Sequence, residues 1–78
     1  MSKVHFIIER STTNLLSIFI DDILHISVRT DNVDFVHSYE DNERYFIEYY
    51  LNNGSKIVTD YDTHELWVKI LNILNKPI

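Results

Sequence analysis

The sequence predicts an α+β domain, in which an antiparallel β-sheet of four to six strands, flat or curled, carries one C-terminal α-helix packed on one face. Three observations predict this fold. Apolar and polar residues alternate through most of the first sixty residues, an Asn-Gly pair separates two apolar runs, and apolar residues recur with helical period near the C-terminus. A chain of 78 residues has the size of one domain, so we expect residues 1–78 to form a single unit.

Alternation predicts three strands within the first thirty residues. Val4, Phe6 and Ile8 alternate with polar residues, and the runs at 16–20 and 24–28 do the same. The following segments are expected to be, in order, a turn at 10–14, an interruption at Asp21-Asp22, a polar turn at 30–32, a weaker strand at 33–39 and a charged loop at 40–43.

A hairpin is predicted where Asn53 and Gly54 separate the runs 45–51 and 56–61. Asn and Gly tolerate the positive φ angles of a two-residue type I′ turn. That turn would set the following cross-strand pairs: Leu51 with Lys56, Tyr50 with Ile57, Tyr49 with Val58, Glu48 with Thr59, Ile47 with Asp60, and Phe46 with Tyr61.

The C-terminal helix is expected to begin near Thr63. Asp62 would cap its first turn, and Glu65 stands at capping-box spacing. Pro77 is placed where a helix would stop. The apolar stripe has helical period and comprises Leu66, Trp67, Ile70, Leu71, Ile73 and Leu74.

The run 45–51 is apolar on both faces, which has a consequence for assembly. One helix covers one face, expected to be that of Ile47, Tyr49, Leu51 and Val58. The aromatic surface of the other face would approach or exceed the largest apolar patch that an ordinary monomer tolerates. Either the first strands curl over it, or a second copy or another molecule covers it. This predicted second or oligomer interface comprises Phe46, Tyr50, Ile57 and Tyr61.

The chain is acidic, with a net charge of −5 from 12 Asp+Glu and 7 Lys+Arg. This charge disfavours direct binding to nucleic acid, which needs a cationic surface. Half of the acidic residues lie between residues 31 and 48, interleaved with tyrosines of the kind that anchor interfaces. The segment is either a solvated loop or a docking surface for a basic protein. The predicted partner-binding residues are Asp31, Asp34, Tyr39, Glu40, Asp41, Glu43, Tyr45, Glu48 and Tyr49.

No catalytic or metal motif emerges. Cysteine is absent, the four histidines lie in separate segments, and no serine elbow or glycine-rich phosphate loop is present. Asp60, Asp62 and His64 could be hard-cation ligands, although helix capping explains Asp62 better. We therefore predict a chain that is not an enzyme and has no cofactor or metal. The apolar runs are too short to span a bilayer, and no signal peptide is evident, so a cytoplasmic location is expected.

Two stretches resemble a known family. The segment from Phe19 to Val28, with Asp21-Asp22 at its centre, resembles the strand, acidic kink and strand of small FlbD-like flagellar proteins, and the segment 45–74 resembles their second half. The resemblance implies a sheet with a C-terminal helix and no catalytic residues; the acidic segment 31–44 departs from it. The small, acidic, cysteine-free profile is also similar to that of phage-encoded anti-defence inhibitors, such as anti-CRISPR proteins.

These features lead to three hypotheses. The first is a nonenzymatic protein-binding module, an inhibitor that docks a basic, nucleic-acid-binding surface of its partner. The second is a homo-oligomeric structural or assembly subunit, for example a homodimer. The third is a protein that binds or sequesters a small ligand such as a nucleotide.

Overall fold

The computed structural model describes residues 3–9 and 14–75, which form six strands, a short 3-10 helix and one α-helix. In chain order these are β1 Val4–Glu9, β2 Leu15–Ile20, β3 Ile23–Arg29, the 3-10 helix Thr30–Asn32, β4 Val33–Asp41, β5 Arg44–Leu51, β6 Lys56–Tyr61 and α1 His64–Leu74.

The predicted α+β class is confirmed, but the single sheet is only partly right. The strands are antiparallel and form two sheets of three, ordered β1-β2-β3 and β4-β5-β6. The short 3-10 helix carries the chain from the last strand of the first sheet to the first strand of the second. The predicted turn at 10–14 lies almost wholly outside the described residues.

Two hairpins turn on residue pairs with positive φ. Asp21 and Asp22 have φ of 52° and 66°, and Asn42 and Glu43 have φ of 51° and 64°. Positive φ at both central residues is the signature of a type I′ turn, whose twist matches that of the strands. The predicted interruption at Asp21-Asp22 is confirmed. The predicted charged loop at 40–43 is wrong, because Glu40 and Asp41 belong to β4 and only two residues form the turn.

The predicted register of the last hairpin is wrong by one residue. The loop holds three residues, because Leu51 N–H donates to the Ser55 carbonyl and Gly54 alone takes positive φ, at 91°. The Asn53 side chain accepts from the Ser55 backbone N–H at 2.9 Å and so stabilises this longer loop. A slip of one residue exchanges the two faces of a strand. The observed pairs are Tyr45 with Tyr61, Phe46 with Asp60, Ile47 with Thr59, Glu48 with Val58, Tyr49 with Ile57 and Tyr50 with Lys56.

The helix begins one residue after its true cap, which is Thr63 and not Asp62. The Thr63 hydroxyl accepts from Leu66 N–H at 3.3 Å. The carboxylate of Glu65 instead forms an ion pair with Lys69 at 3.2 Å, one helical turn along. Pro77, the predicted stop, lies outside the described residues.

The core lies between the two sheets and the helix. The helix packs against β1, β5 and β6, so the first sheet and the helix together cover one face of the second sheet, called the inner face here. Ile47 and Tyr49 lie on it, as predicted. Val58 does not, since it is 49% exposed. The buried apolar residues are Leu16, Ile18, Ile26, Val28, Ile47, Tyr49, Tyr61, Ile70 and Ile73.

Within the described residues, the length and hydropathy of the helix fall short of what a bilayer crossing requires.

Candidate functional site

The other side of the second sheet, called the outer face here, gathers aromatic side chains around one carboxylate. Each of its three strands contributes alternate residues, as expected for strand geometry. The cross-strand pairing of β4 with β5 and of β5 with β6 brings them into one surface. The centre of the outer face comprises Phe35, His37, Tyr39, Phe46, Glu48, Tyr50 and Val58, and the charged residues Asp41, Arg44, Lys56 and Asp60 lie around it on the same side.

Two ring stacks lie on the outer face. The rings of Phe35 and Tyr50 have centroids 4.5 Å apart and planes 12° apart. The rings of Tyr39 and Phe46 are 5.0 Å and 18° apart. Both stacks join a residue of β4 to its cross-strand partner on β5, an arrangement that stabilises the pair of strands. Phe35 remains 57% exposed, so this apolar surface is open to a partner.

Glu48 lies between the two stacks and binds a tyrosine from each. Its Oε2 accepts from the Tyr39 hydroxyl at 3.0 Å, and its Oε1 accepts from the Tyr50 hydroxyl at 2.6 Å. Two cationic or basic nitrogens lie farther away, His37 Nδ1 at 3.7 Å and Lys56 Nζ at 3.8 Å. The residue is only 8% exposed. We refer to Glu48 with its two tyrosines as the Glu48 clamp.

The charge of this clamp is fixed by its hydrogen bonds. The bond from the Tyr50 hydroxyl is the largest influence lowering the pKa of Glu48, and it outweighs the opposing effect of burial. The same bonds to the carboxylate raise the pKa of Tyr39 and of Tyr50. At neutral pH the carboxylate is therefore ionised and both phenols are protonated, which keeps both hydrogen bonds formed.

An acidic rim borders the outer face at the β4–β5 turn. We use this name for Glu40, Asp41 and Glu43, all of which are exposed. The nearby Arg44 is already engaged, since its guanidinium donates to the Asp60 carboxylate. None of the basic side chains in the described ranges forms an ion pair with the rim. The rim therefore projects uncompensated negative charge into solvent.

The other acidic residues of the segment 31–48 lie elsewhere. Asp31 is at the opposite end of the sheet, where its carboxylate accepts from Asn14 at 3.1 Å and its carbonyl from Asn52 at 3.1 Å. Asp34 lies at a bulge in β4, where the register with β5 shifts. The predicted acidic segment thus divides into two ends of one sheet and does not form a single patch.

The structure redistributes the residues of the two predicted interfaces, and the corrected register accounts for the positions of Tyr61 and Ile57. Tyr49 is 1% exposed and Tyr61 is 3% exposed, so both belong to the core and have no free surface. Tyr45 and Ile57 also lie on the inner face, Tyr45 with its ring 5.2 Å from that of Trp67. From the two predicted interfaces, Tyr39, Glu48, Phe46 and Tyr50 come together on the outer face.

Phe35 and His37 lie on the outer face but belong to neither of the interfaces that the sequence predicts. The period-two spacing of Phe35, His37 and Tyr39 in β4 could have identified them. Because a charged loop is expected directly after this strand, the sequence does not predict that β4 pairs with β5 along most of its length.

The two sheets are joined in the interior by a polar contact. The register of β2 with β3 shifts at Phe19, so His25 is the extra residue of a bulge. Its Nε2 lies 2.7 Å from the Tyr61 hydroxyl, which donates to Thr59 Oγ1 at 3.0 Å. Since that hydroxyl hydrogen is used, His25 Nε2 donates to Tyr61. Burial lowers the pKa of His25, which keeps its ring neutral at neutral pH.

Neither the possible ligand cluster nor the cavities present a developed site. Asp60 is engaged with Arg44, and the described residues contain no group of three His or carboxylate side chains that could hold a metal ion. A cavity of about 160 Å³ between the sheets has mainly apolar walls, and its lining contains no cation for a phosphate. A second, open groove runs between β1 and the helix beside Lys69.

Comparisons with known proteins identified no matching protein family, no similar curated protein and no similar solved structure. The resemblance to FlbD-like proteins and the similarity to anti-defence inhibitors therefore stay predictions.

Proposed function

We propose that this chain is a nonenzymatic protein-binding module that docks its outer face and acidic rim on a basic surface of another protein, as a small inhibitor of a nucleic-acid-binding protein would. The observation that carries the proposal is the Glu48 clamp, which fixes two partly exposed ring stacks beside acidic residues that have no basic partner among the described side chains.

The ring stacks supply the apolar part of such an interface. Aromatic residues fixed in place are the residue type that dominates binding energy at protein interfaces. Tyr39 and Tyr50 are restrained through their hydroxyls by Glu48, and Phe35 and Phe46 by stacking on them. A partner can therefore bury these rings without reorganising the sheet.

The acidic rim supplies the electrostatic part. The chain carries a net charge of −5, and the rim residues Glu40, Asp41 and Glu43 have no basic partner among the described side chains. Uncompensated charge of one sign attracts a partner of the opposite sign during diffusion and orients it before contact. A basic surface that normally binds phosphate groups fits this description.

The test measures association of the labelled chain with an array of purified nucleic-acid-binding domains at about 0.05 M and 0.3 M salt, which brackets the range where surface charges become screened. We expect at least one domain to bind, with an association rate that falls as salt rises. Excess double-stranded DNA should compete, because it would occupy the same basic surface.

Two charge reversals provide a matched comparison. Glu43 and Asp22 are each the second residue of a two-residue turn, with φ of 64° and 66°. Glu43→Lys should slow association at least about threefold, whereas Asp22→Lys, on the other sheet, should leave it unchanged. Absence of binding to every domain, or binding indifferent to salt and to Glu43→Lys, would overturn the proposal.

A further inference from the structure

β4 has one unpaired edge. It is the first strand of the sheet β4-β5-β6, and no ladder joins it to β3 in the part of the chain that the structure describes, although only Thr30–Asn32 separates the two strands. β4 spans nine residues, Val33–Asp41, most of which are exposed. An exposed edge of this length offers main-chain groups to another extended segment.

The β4–β5 turn determines which residues of β4 present their main-chain groups at the open edge. A two-residue turn makes the flanking residues, Asp41 and Arg44, a hydrogen-bonded pair. Main-chain groups of alternate residues before Asp41 therefore point toward β5. Those of Val36, Ser38 and Glu40 point toward the open edge, beyond the bulge at Asp34.

We infer that β4 accepts an extended segment of the partner as an added strand, and that this segment carries basic residues at its ends and apolar residues between them. This inference rests on the proposed function and specifies the form of the partner. Acid lies at both ends of the edge, with Asp34 at one and Glu40 and Asp41 at the other, whereas Val36 and Phe35 are apolar and exposed between them. Facing residues on paired strands lie close enough for such opposite charges to attract.

Charge also argues against a second copy of this chain as the added strand. Two β4 strands paired antiparallel over their whole length would place His37 opposite itself and Asp34 opposite Glu40 of the other copy. This arrangement contains two carboxylate pairs across the strands, which destabilises it. A basic segment meets no such repulsion.

The experiment titrates the full chain with the synthetic peptide Lys-Val-Thr-Tyr-Thr-Val-Lys and follows each backbone amide by NMR. The edge amides of Val36, Ser38 and Glu40 should shift, and their hydrogen exchange should slow. The amides of β6, at the other edge, should not change. The matched control is the same peptide with alternate main-chain nitrogens methylated, which keeps its charge and side chains but removes its donors. It should bind at least about tenfold more weakly, the equivalent of one or two lost hydrogen bonds.

A chain variant complements the peptide control. Ser38→Pro removes an N–H that points to the open edge, which an edge strand tolerates, so the fold should persist and peptide binding should fall. If this variant does not fold, the methylated peptide still decides the question.

Three results would overturn the inference. One is equal binding of the methylated peptide, and another is binding of folded basic domains without any binding of the peptide. Neither contradicts the proposed function, which fails instead if salt and Glu43→Lys have no effect. The third is slowed exchange at the β4 edge that depends on chain concentration without peptide, which would identify a second copy as the occupant.

Discussion

The hydroxyl of Tyr61 joins the two sheets, and Tyr61→Phe tests how much stability that contact provides. The hydroxyl accepts from His25 Nε2 at 2.7 Å and donates to Thr59 Oγ1 at 3.0 Å. Tyr61 is 3% exposed, so water cannot readily replace the lost oxygen. The substitution keeps the ring and removes only the two hydrogen bonds.

The expected loss follows from these two bonds. A neutral hydrogen bond contributes about 1 kcal/mol net to folding, and more when a buried partner is left unsatisfied. His25 is half-buried and can regain some hydration, so we expect a total loss of about 2 kcal/mol. For a domain of this size, that loss lowers Tm by roughly 8–16 °C.

The measurement is urea unfolding followed by the fluorescence of Trp67, the single tryptophan of the chain. Its indole N–H donates to the Phe46 carbonyl at 3.1 Å, so its environment depends on the packing of helix on sheet. The control is Tyr45→Phe. Tyr45 pairs with Tyr61 across the strands, but its hydroxyl has no hydrogen bond among the described residues, so this change should cost less than about 0.5 kcal/mol.

A result that would refute the reasoning is a Tyr61→Phe stability within about 0.5 kcal/mol of the parent chain. A double-mutant cycle with His25→Ala separates the two bonds. A coupling energy of about 1 kcal/mol is expected between His25 and Tyr61. Zero coupling would mean that the whole loss of stability comes from the hydrogen bond to Thr59. The contact between the sheets through His25 would then contribute nothing.

Three further predictions concern pH, a buried hydroxyl and a turn. Because burial lowers the pKa of His25 from 6.5, the folded state favours the neutral ring. The free energy of unfolding should therefore be highest above pH 6.5 and fall as the pH drops below it. Urea titrations from pH 7.5 to 5 should show a smaller fall for His25→Gln than for the parent chain. The Tyr49 hydroxyl is buried near Thr59 and Tyr61 but forms no hydrogen bond of normal geometry with them. Tyr49→Phe should therefore leave the urea midpoint unchanged or raise it, and a loss above about 1 kcal/mol would contradict this. Glu43 has φ of 64°, which glycine adopts with less strain, so Glu43→Gly should raise the free energy of unfolding by up to about 1 kcal/mol. The same change removes a charge of the acidic rim and should weaken binding to a basic domain. A lowered Tm would count against the turn geometry.

The secondary structure could be predicted because each element has its own local pattern. Alternation located β1, β2 and β3, and the helical stripe from Leu66 to Leu74 located α1. The turn at Asp21-Asp22 also followed from residue type, since aspartate tolerates the left-handed region better than most residues.

The register could not be predicted, because it depends on one residue of loop length. Asn-Gly favours a two-residue turn, but Asn53 and Ser55 form side-chain contacts that stabilise a three-residue loop. This single difference moved Tyr61 from the expected outer position to the core and Val58 from the core to the surface.

Only part of the candidate site could be predicted from the sequence. The sequence predicts Tyr39, Glu48, Phe46 and Tyr50 as site residues, but it divides them between two different interfaces. These residues share one face because β4 pairs with β5 along most of its length. The charged residues around Asp41 predict a loop, so this pairing does not follow from the sequence. The break into two sheets, which opens the edge of β4, has no local pattern at all.

The Glu48 clamp has a thermodynamic consequence for association. Flexible side chains lose rotational freedom when a complex forms, and this entropy loss opposes binding. Tyr39 and Tyr50 have already given up much of that freedom during folding, because both hydroxyls are tied to the same carboxylate. Calorimetry on a Glu48→Ala chain should therefore find a more unfavourable entropy of association than for the parent, even where the same rings are buried.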